Sequence, residues 1–96
     1  MTNSLVSIQI IPKTPKGEDV IPYVDEAISI IDQSGLHYEV HPLETTIEGN
    51  LADILPVIEK MNQAMTARGC KNVLSQIKIL YQPEGATMNQ LTEKYR

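Results

Sequence analysis

The sequence predicts an α+β sandwich, a four-stranded antiparallel sheet with two helices packed on one of its faces. Three observations predict it. Strand-like alternation of apolar and polar residues occurs at 5–11, 36–42, 45–49 and 72–81. Apolar residues at helical spacing occur around 20–31 and 51–65. The two kinds of segment follow one another as βαββαβ, with turn-forming residues between them.

The first strand, "LVSIQII", places Val6, Ile8 and Ile10 on one side and Ser7, Gln9 and Ile11 on the other, and Pro12 ends it. "PKTPKGED" is a loop by its prolines, glycine and charges. Val20, Val24, Ala27, Ile28 and Ile31 then recur at helical spacing, and Ser34-Gly35 supplies the stop. Pro22 belongs in the first turn, where a missing N–H costs little.

In "LHYEVHP", Leu36, Tyr38 and Val40 point inward while His37, Glu39 and His41 point outward. A turn over Pro42 to Glu44 leads into "TTIEG", where Ile47 alone is inward and Thr46 and Glu48 point the other way; the two strands should form a hairpin. Asn50 or Asp53 caps the second helix, whose stripe is Leu51, Leu55, Ile58, Met61 and Met65. Pro56 favours the later start, because after an Asn50 cap it falls inside the helix. The last strand, "NVLSQIKILY", carries Val73, Ser75, Ile77, Ile79 and Tyr81 on one face and Leu74, Gln76, Lys78 and Leu80 on the other. A short tail helix follows "QPEG", with Met88, Leu91 and Tyr95 on one side. This order is the split-βαβ, ferredoxin-like plan. Right-handed crossovers then give the spatial strand order 4-1-3-2.

With 96 residues the chain forms one domain, 1–96. It has no Trp and no Phe, so the core is aliphatic with four Tyr as its largest pieces. A net charge of -4 argues against nucleic acid or an anionic membrane as partner. No apolar run approaches the ~20 residues of a membrane span, and no basic segment leads into an apolar one, so a cytoplasmic protein is expected. Cys70 is the single cysteine, which excludes a disulfide or a multi-thiolate metal site within one chain.

Both helices cover the same side of the sheet, which leaves the other side open. Across it lie Ser7 and Gln9, Thr46 and Glu48, Gln76 and Lys78, interrupted by Ile11, Leu74 and Leu80. Hydrogen-bonding groups amid apolar patches point to a ligand, to self-association, or to both. His37 and His41 are four residues apart on a strand, roughly 13 Å, too far to share one metal ion. Nucleophile-elbow, phosphate-loop and dinucleotide fingerprints are missing, and no histidine neighbours Ser7 in the expected strand order. A non-enzyme is therefore expected.

"VSIQIIP", "SGLHYEVHP" and above all "TTIEG" before the second helix resemble the small thiamine-binding protein family, as does the ending "ILYQPEGATMNQLTEKYR". The resemblance runs from Leu5 to Arg96. It implies a ferredoxin-like subunit that forms dimers or tetramers through its sheets. It also implies non-catalytic binding of thiamine or its hydroxymethylpyrimidine part, with no other cofactor. The chemistry of such a ligand selects candidate residues. Glu48 can accept from the exocyclic amine, and Thr46, Thr45, Ser7 or Gln9 can bond the ring edge. Tyr38 or Tyr81 can face the thiazolium cation, although both lie on the expected inward face and serve equally well as core. The alternative is a regulatory or structural oligomerisation domain that senses another small molecule.

Overall fold

The computed structural model describes residues 2–96. Its elements are β1 (Ser4–Pro12), α1 (Ile21–Gln33), β2 (His37–Val40), β3 (Thr45–Gly49), α2 (Leu51–Ala67), β4 (Val73–Tyr81) and α3 (Met88–Thr92), followed by a 3-10 turn over Glu93–Tyr95. The sheet is antiparallel in the order β2-β3-β1-β4, which is the expected 4-1-3-2 read from the other edge.

The core lies between the sheet and the two long helices. Val6, Ile8 and Ile47 rise from the central strands to meet Ala27 and Ile31 of α1 and Ile54, Ile58, Met61 and Met65 of α2. Cys70 is buried in the same cluster as a small apolar side chain. Arg68 ties the helices together at their exposed rim. Its guanidinium donates to Glu26 at 3.1 Å and lies 4.5 Å from the ring centre of Tyr23.

The helix starts are capped from a distance. The Ile21 N–H donates to Asp19 Oδ1 at 3.1 Å, and Pro22 sits in the first turn as expected. At α2 the capping position is Asn50, but its side chain makes no cap bond. Instead Asn3, just ahead of β1, accepts from the Leu51 N–H at 3.0 Å and from Ser4 Oγ at 2.9 Å. The first strand therefore fixes the start of the second helix. Gly49 leaves little room beneath that start, since a Cβ there would come within 3.1 Å of the Leu36 side chain and 3.5 Å of Ile54, and Leu36 would have to shift slightly to admit it. Gly35 ends α1 with φ +78°, a conformation that glycine adopts without strain.

The helix start differs from the sequence expectation. α2 begins at Leu51 and runs straight through Pro56. Its buried stripe is turned accordingly, with Ile54 and Val57 inside and Leu55 exposed. Pro56 lies on the exposed side, so the carbonyl that loses its partner faces water, and the packing of Ile54 and Ile58 outweighs the local cost. Pro56→Ala should accordingly raise stability. A proline inside a helix costs about 3 kcal/mol and its loss frees the unfolded chain by about 0.4–1 kcal/mol, so a net gain of roughly 2–2.6 kcal/mol should register in urea unfolding. An unchanged or lowered midpoint would mean that the proline ring packs usefully.

The edge strand also departs from expectation. By register, Ile77, Ile79 and Tyr81 share the helix side with Ile8, Val6 and Ser4. Yet these three side chains remain 40%, 48% and 55% exposed, so the helix layer leaves much of this outer strand uncovered.

Candidate functional site

Three features bear on a candidate site, two on the open face and one on the helix side. The first is the tail. After β4 the chain turns back, the Gln82 N–H donating to the Asn3 carbonyl and the Ala86 N–H to that of Thr2. Ala86 and Met88 then cover Leu5, which is buried as a result. Glu48 holds the tail in place, one carboxylate oxygen accepting from the Met88 N–H at 2.7 Å. Glu48 thus sits at the start of α3, while Thr87 caps the same turn by accepting from the Gln90 N–H. Glu48→Gln keeps the shape but weakens a charge-assisted bond. The expected result is loss of about 1 kcal/mol of tail docking, seen as faster amide exchange at 86–92 with the core unaffected. Unchanged exchange would show that Leu5, Ala86 and Met88 suffice.

The second feature is a polar hollow on the same face, around Gln9, Glu44 and Gln76. Glu44 lies one step beyond Thr45, the last β3 residue paired with β1, so it points to the open face like Thr46 and Glu48. Its carboxylate accepts a hydrogen bond from Ser7 Oγ. With Gln9, Leu43, Gln76 and Lys78 it lines an open hollow of about 580 Å³. Ser7 stands opposite Thr46 on one side and Lys78 on the other, and Gln9 opposite Gln76. The hollow therefore offers one carboxylate, two amides and one ammonium, with the Ser7 hydroxyl behind the carboxylate.

The third is an apolar hollow of about 480 Å³ on the other side of the sheet, between α1 and the β2–β3 loop. Ile10, Val24, Ile28, Val40, Leu43 and Thr45 contribute to its wall. Its wall is mainly aliphatic, and the polar residues on it are Gln9, Asp25, His41, Glu44 and Thr45, of which Gln9 and Glu44 also border the polar hollow.

The residues singled out from the sequence fall into separate places. Gln9 borders the polar hollow, Ser7 is linked to it by its bond to Glu44, and Thr46 lies beside Ser7, while Glu48 is occupied by the tail. Thr45 is buried on the helix side, beside the apolar hollow. The Tyr38 hydroxyl donates to Asp32 at 2.8 Å, and this bond, with burial, pushes its pKa up, so the side chain serves to join β2 to α1. Tyr81 is exposed at the sheet edge, not part of the core. Glu44 is the residue that sequence reading missed. The sequence places it in a turn, and the signal for its direction lies in extending the alternation of Glu48 and Thr46 by one step.

Fold and hollow together define a small α+β sandwich with a polar cleft on its free sheet face. A family model described as thiamine-binding protein matches residues 6–96. The chain belongs to this thiamine-binding protein family. It is 36% identical over 91 residues to a UPF0045 protein of Clostridium perfringens, covering 95% of each chain. The UPF0045 protein YqgV of Bacillus subtilis is 28% identical over 80 residues, covering 79% of this chain and 77% of YqgV. Among solved structures, a DUF77 domain from Bacillus cereus superposes with a TM-score of 0.90 at 38% identity, covering 99% of this chain and 92% of that one. A candidate thiamine biosynthesis/salvage protein of Thermotoga maritima gives 0.86 at 30% identity, covering 98% and 99%.

Proposed function

We propose that the protein binds thiamine or its hydroxymethylpyrimidine part in the cytoplasm, without catalysing a reaction, and that it works as a homo-oligomer. The observation that carries this reading is the polar hollow in a chain matched by the thiamine-binding model over residues 6–96. The Thermotoga maritima neighbour, described in thiamine terms, supports it. An aminopyrimidine presents an exocyclic amine and ring-nitrogen acceptors. Glu44 accepts from the amine, and the amides of Gln9 and Gln76 donate to ring nitrogens. Lys78 donates to the ligand's hydroxyl, and the thiazolium cation benefits from the net charge of -4. Self-association removes Ile11, Leu74 and Leu80 from water.

Titration calorimetry with thiamine and with its pyrimidine alcohol tests the reading, alongside chromatography of both ligands after long incubation. Saturable binding with the ligand recovered intact is the expected result. No heat from either compound, or a converted ligand, overturns it.

A further inference from the structure

We propose that the gap beside Ile10, where β3 parts from β1, is a second binding site, separate from the polar hollow, for a neutral aromatic ring that carries an amide or amidine edge.

The register of the sheet opens this gap. β4 follows β1 as far as Pro12, whereas β3 pairs with it only from Ser4 to Ile8. Successive strand residues turn their backbone groups to alternate sides, each presenting its N–H and carbonyl together. The Gln82 N–H donates to the Asn3 carbonyl, one step beyond the Ser4–Tyr81 pair, so the odd-numbered residues of β1 bond toward β4. Ser4, Val6 and Ile8 therefore bond toward β3, opposite Gly49, Ile47 and Thr45. Ile10 is next in that series, and the residue due opposite it is Leu43. The hairpin has already turned away there. The His41 N–H donates to the Glu44 carbonyl, and the Leu43 side chain is 76% exposed. Among the described residues, no backbone group meets the Ile10 N–H or carbonyl on this side.

The apolar hollow occupies the gap. Its wall takes in both sides of it, residues 8–12 of β1 and 40–45 of the hairpin, with Val24 and Ile28 of α1. Its volume of about 480 Å³ suits a small molecule, whose sites usually measure ~300–1,000 Å³. A peptide strand is a poorer fit, because Pro12, the next residue due to bond on this side, has no N–H to continue a ladder.

The free groups define the occupant. A backbone donor and acceptor side by side call for an acceptor and a donor on one planar edge, which an amide or an amidine supplies. The mainly aliphatic wall favours a ring behind that edge, since its burial removes apolar surface from water. Asp25 and Glu44 on the wall disfavour an anion.

Amide exchange and chemical shifts, read by NMR on the whole chain, test the site. Benzamide is the probe, and benzoate, of the same shape but anionic and without a donor, is the control. Without ligand the Ile10 amide should exchange about tenfold or more faster than those of Ile8 and Gln9, which lie within the ladders. Millimolar benzamide should slow that exchange and shift the Ile10 signal saturably, and benzoate should do neither. Val24→Trp, which fills the hollow, should abolish both effects of benzamide while Ile8 stays protected. An Ile10 amide already protected without ligand overturns the gap. An Ile10 signal unmoved by benzamide, or moved equally by benzoate, overturns the site, and wild type alone decides both points. Thiamine should instead shift Gln76 and Lys78, and its protection of the Ile10 amide would overturn the separation of the two sites. Failure of benzamide to bind leaves the thiamine reading untouched.

Discussion

Ile47→Ala should lower stability by about 2–5 kcal/mol, the largest effect expected of any variant considered for this chain. Ile47 is fully buried in β3, opposite Val6 and Tyr38 and beneath the helix layer. Removing three heavy atoms loses their transfer energy and leaves a cavity that the surrounding strands cannot close. Domains of this size hold about 5–15 kcal/mol in all, so the change removes a large fraction. With about 4–8 °C lost per kcal/mol, the thermal midpoint should fall by roughly 10 °C or more. Ile47→Val, which keeps the branched shape, should cost about 0.5–1.5 kcal/mol. Circular-dichroism melts of the three proteins decide the matter. A drop under about 1 kcal/mol for the alanine variant would mean that the core relaxes around β3 more freely than its packing implies.

Glu44→Gln should weaken thiamine binding by about tenfold to hundredfold. The substitution keeps the size and an accepting oxygen but removes the charge, and a hydrogen bond to a charged group is worth about 1.5–3 kcal/mol. Ser7 can still donate to the new amide oxygen, so the side chain keeps its place. Stability should change by no more than about 0.5 kcal/mol, since Glu44 lies outside the core. Ser7→Ala removes only the donor that orients the carboxylate and should have the smaller effect on affinity. Equal affinity in wild type and Glu44→Gln would overturn the role of Glu44, and because that residue borders both hollows, variants at Gln76 and at Val24, each lining one hollow alone, would then tell them apart.

The sheet order was legible because two-residue alternation and short connections leave few topologies for four strands. Leu5 shows where that reasoning ends. Alternation places it on the open face, yet it is buried, because the tail returns to cover it. Nothing local in the sequence announces the return. Pro56 failed for a related reason: its local cost is real, but the contacts of Ile54 and Ile58 on the other side of the same helix are larger. At the candidate site, Ser7 and Gln9 follow from strand periodicity alone. Glu44 needs the exact end of the hairpin, and strand ends are where local pattern is weakest. Glu48 has the residue type and the face expected of a ligand contact, and only the folded tail reveals its present partner.

The position of β1 has a consequence for how the chain comes to be folded. It is made first, yet it lies between β3 and β4, and its start is fastened to Gln82 and Ala86. Contacts across so much of the sequence slow folding, since long loops must close before they are rewarded. During synthesis, Val6 and Ile8 therefore wait with one strand edge unsatisfied until the last quarter of the chain arrives. A chain halted at residue 72 presents that edge permanently, and it should aggregate or be degraded in place of persisting as a smaller version of the domain.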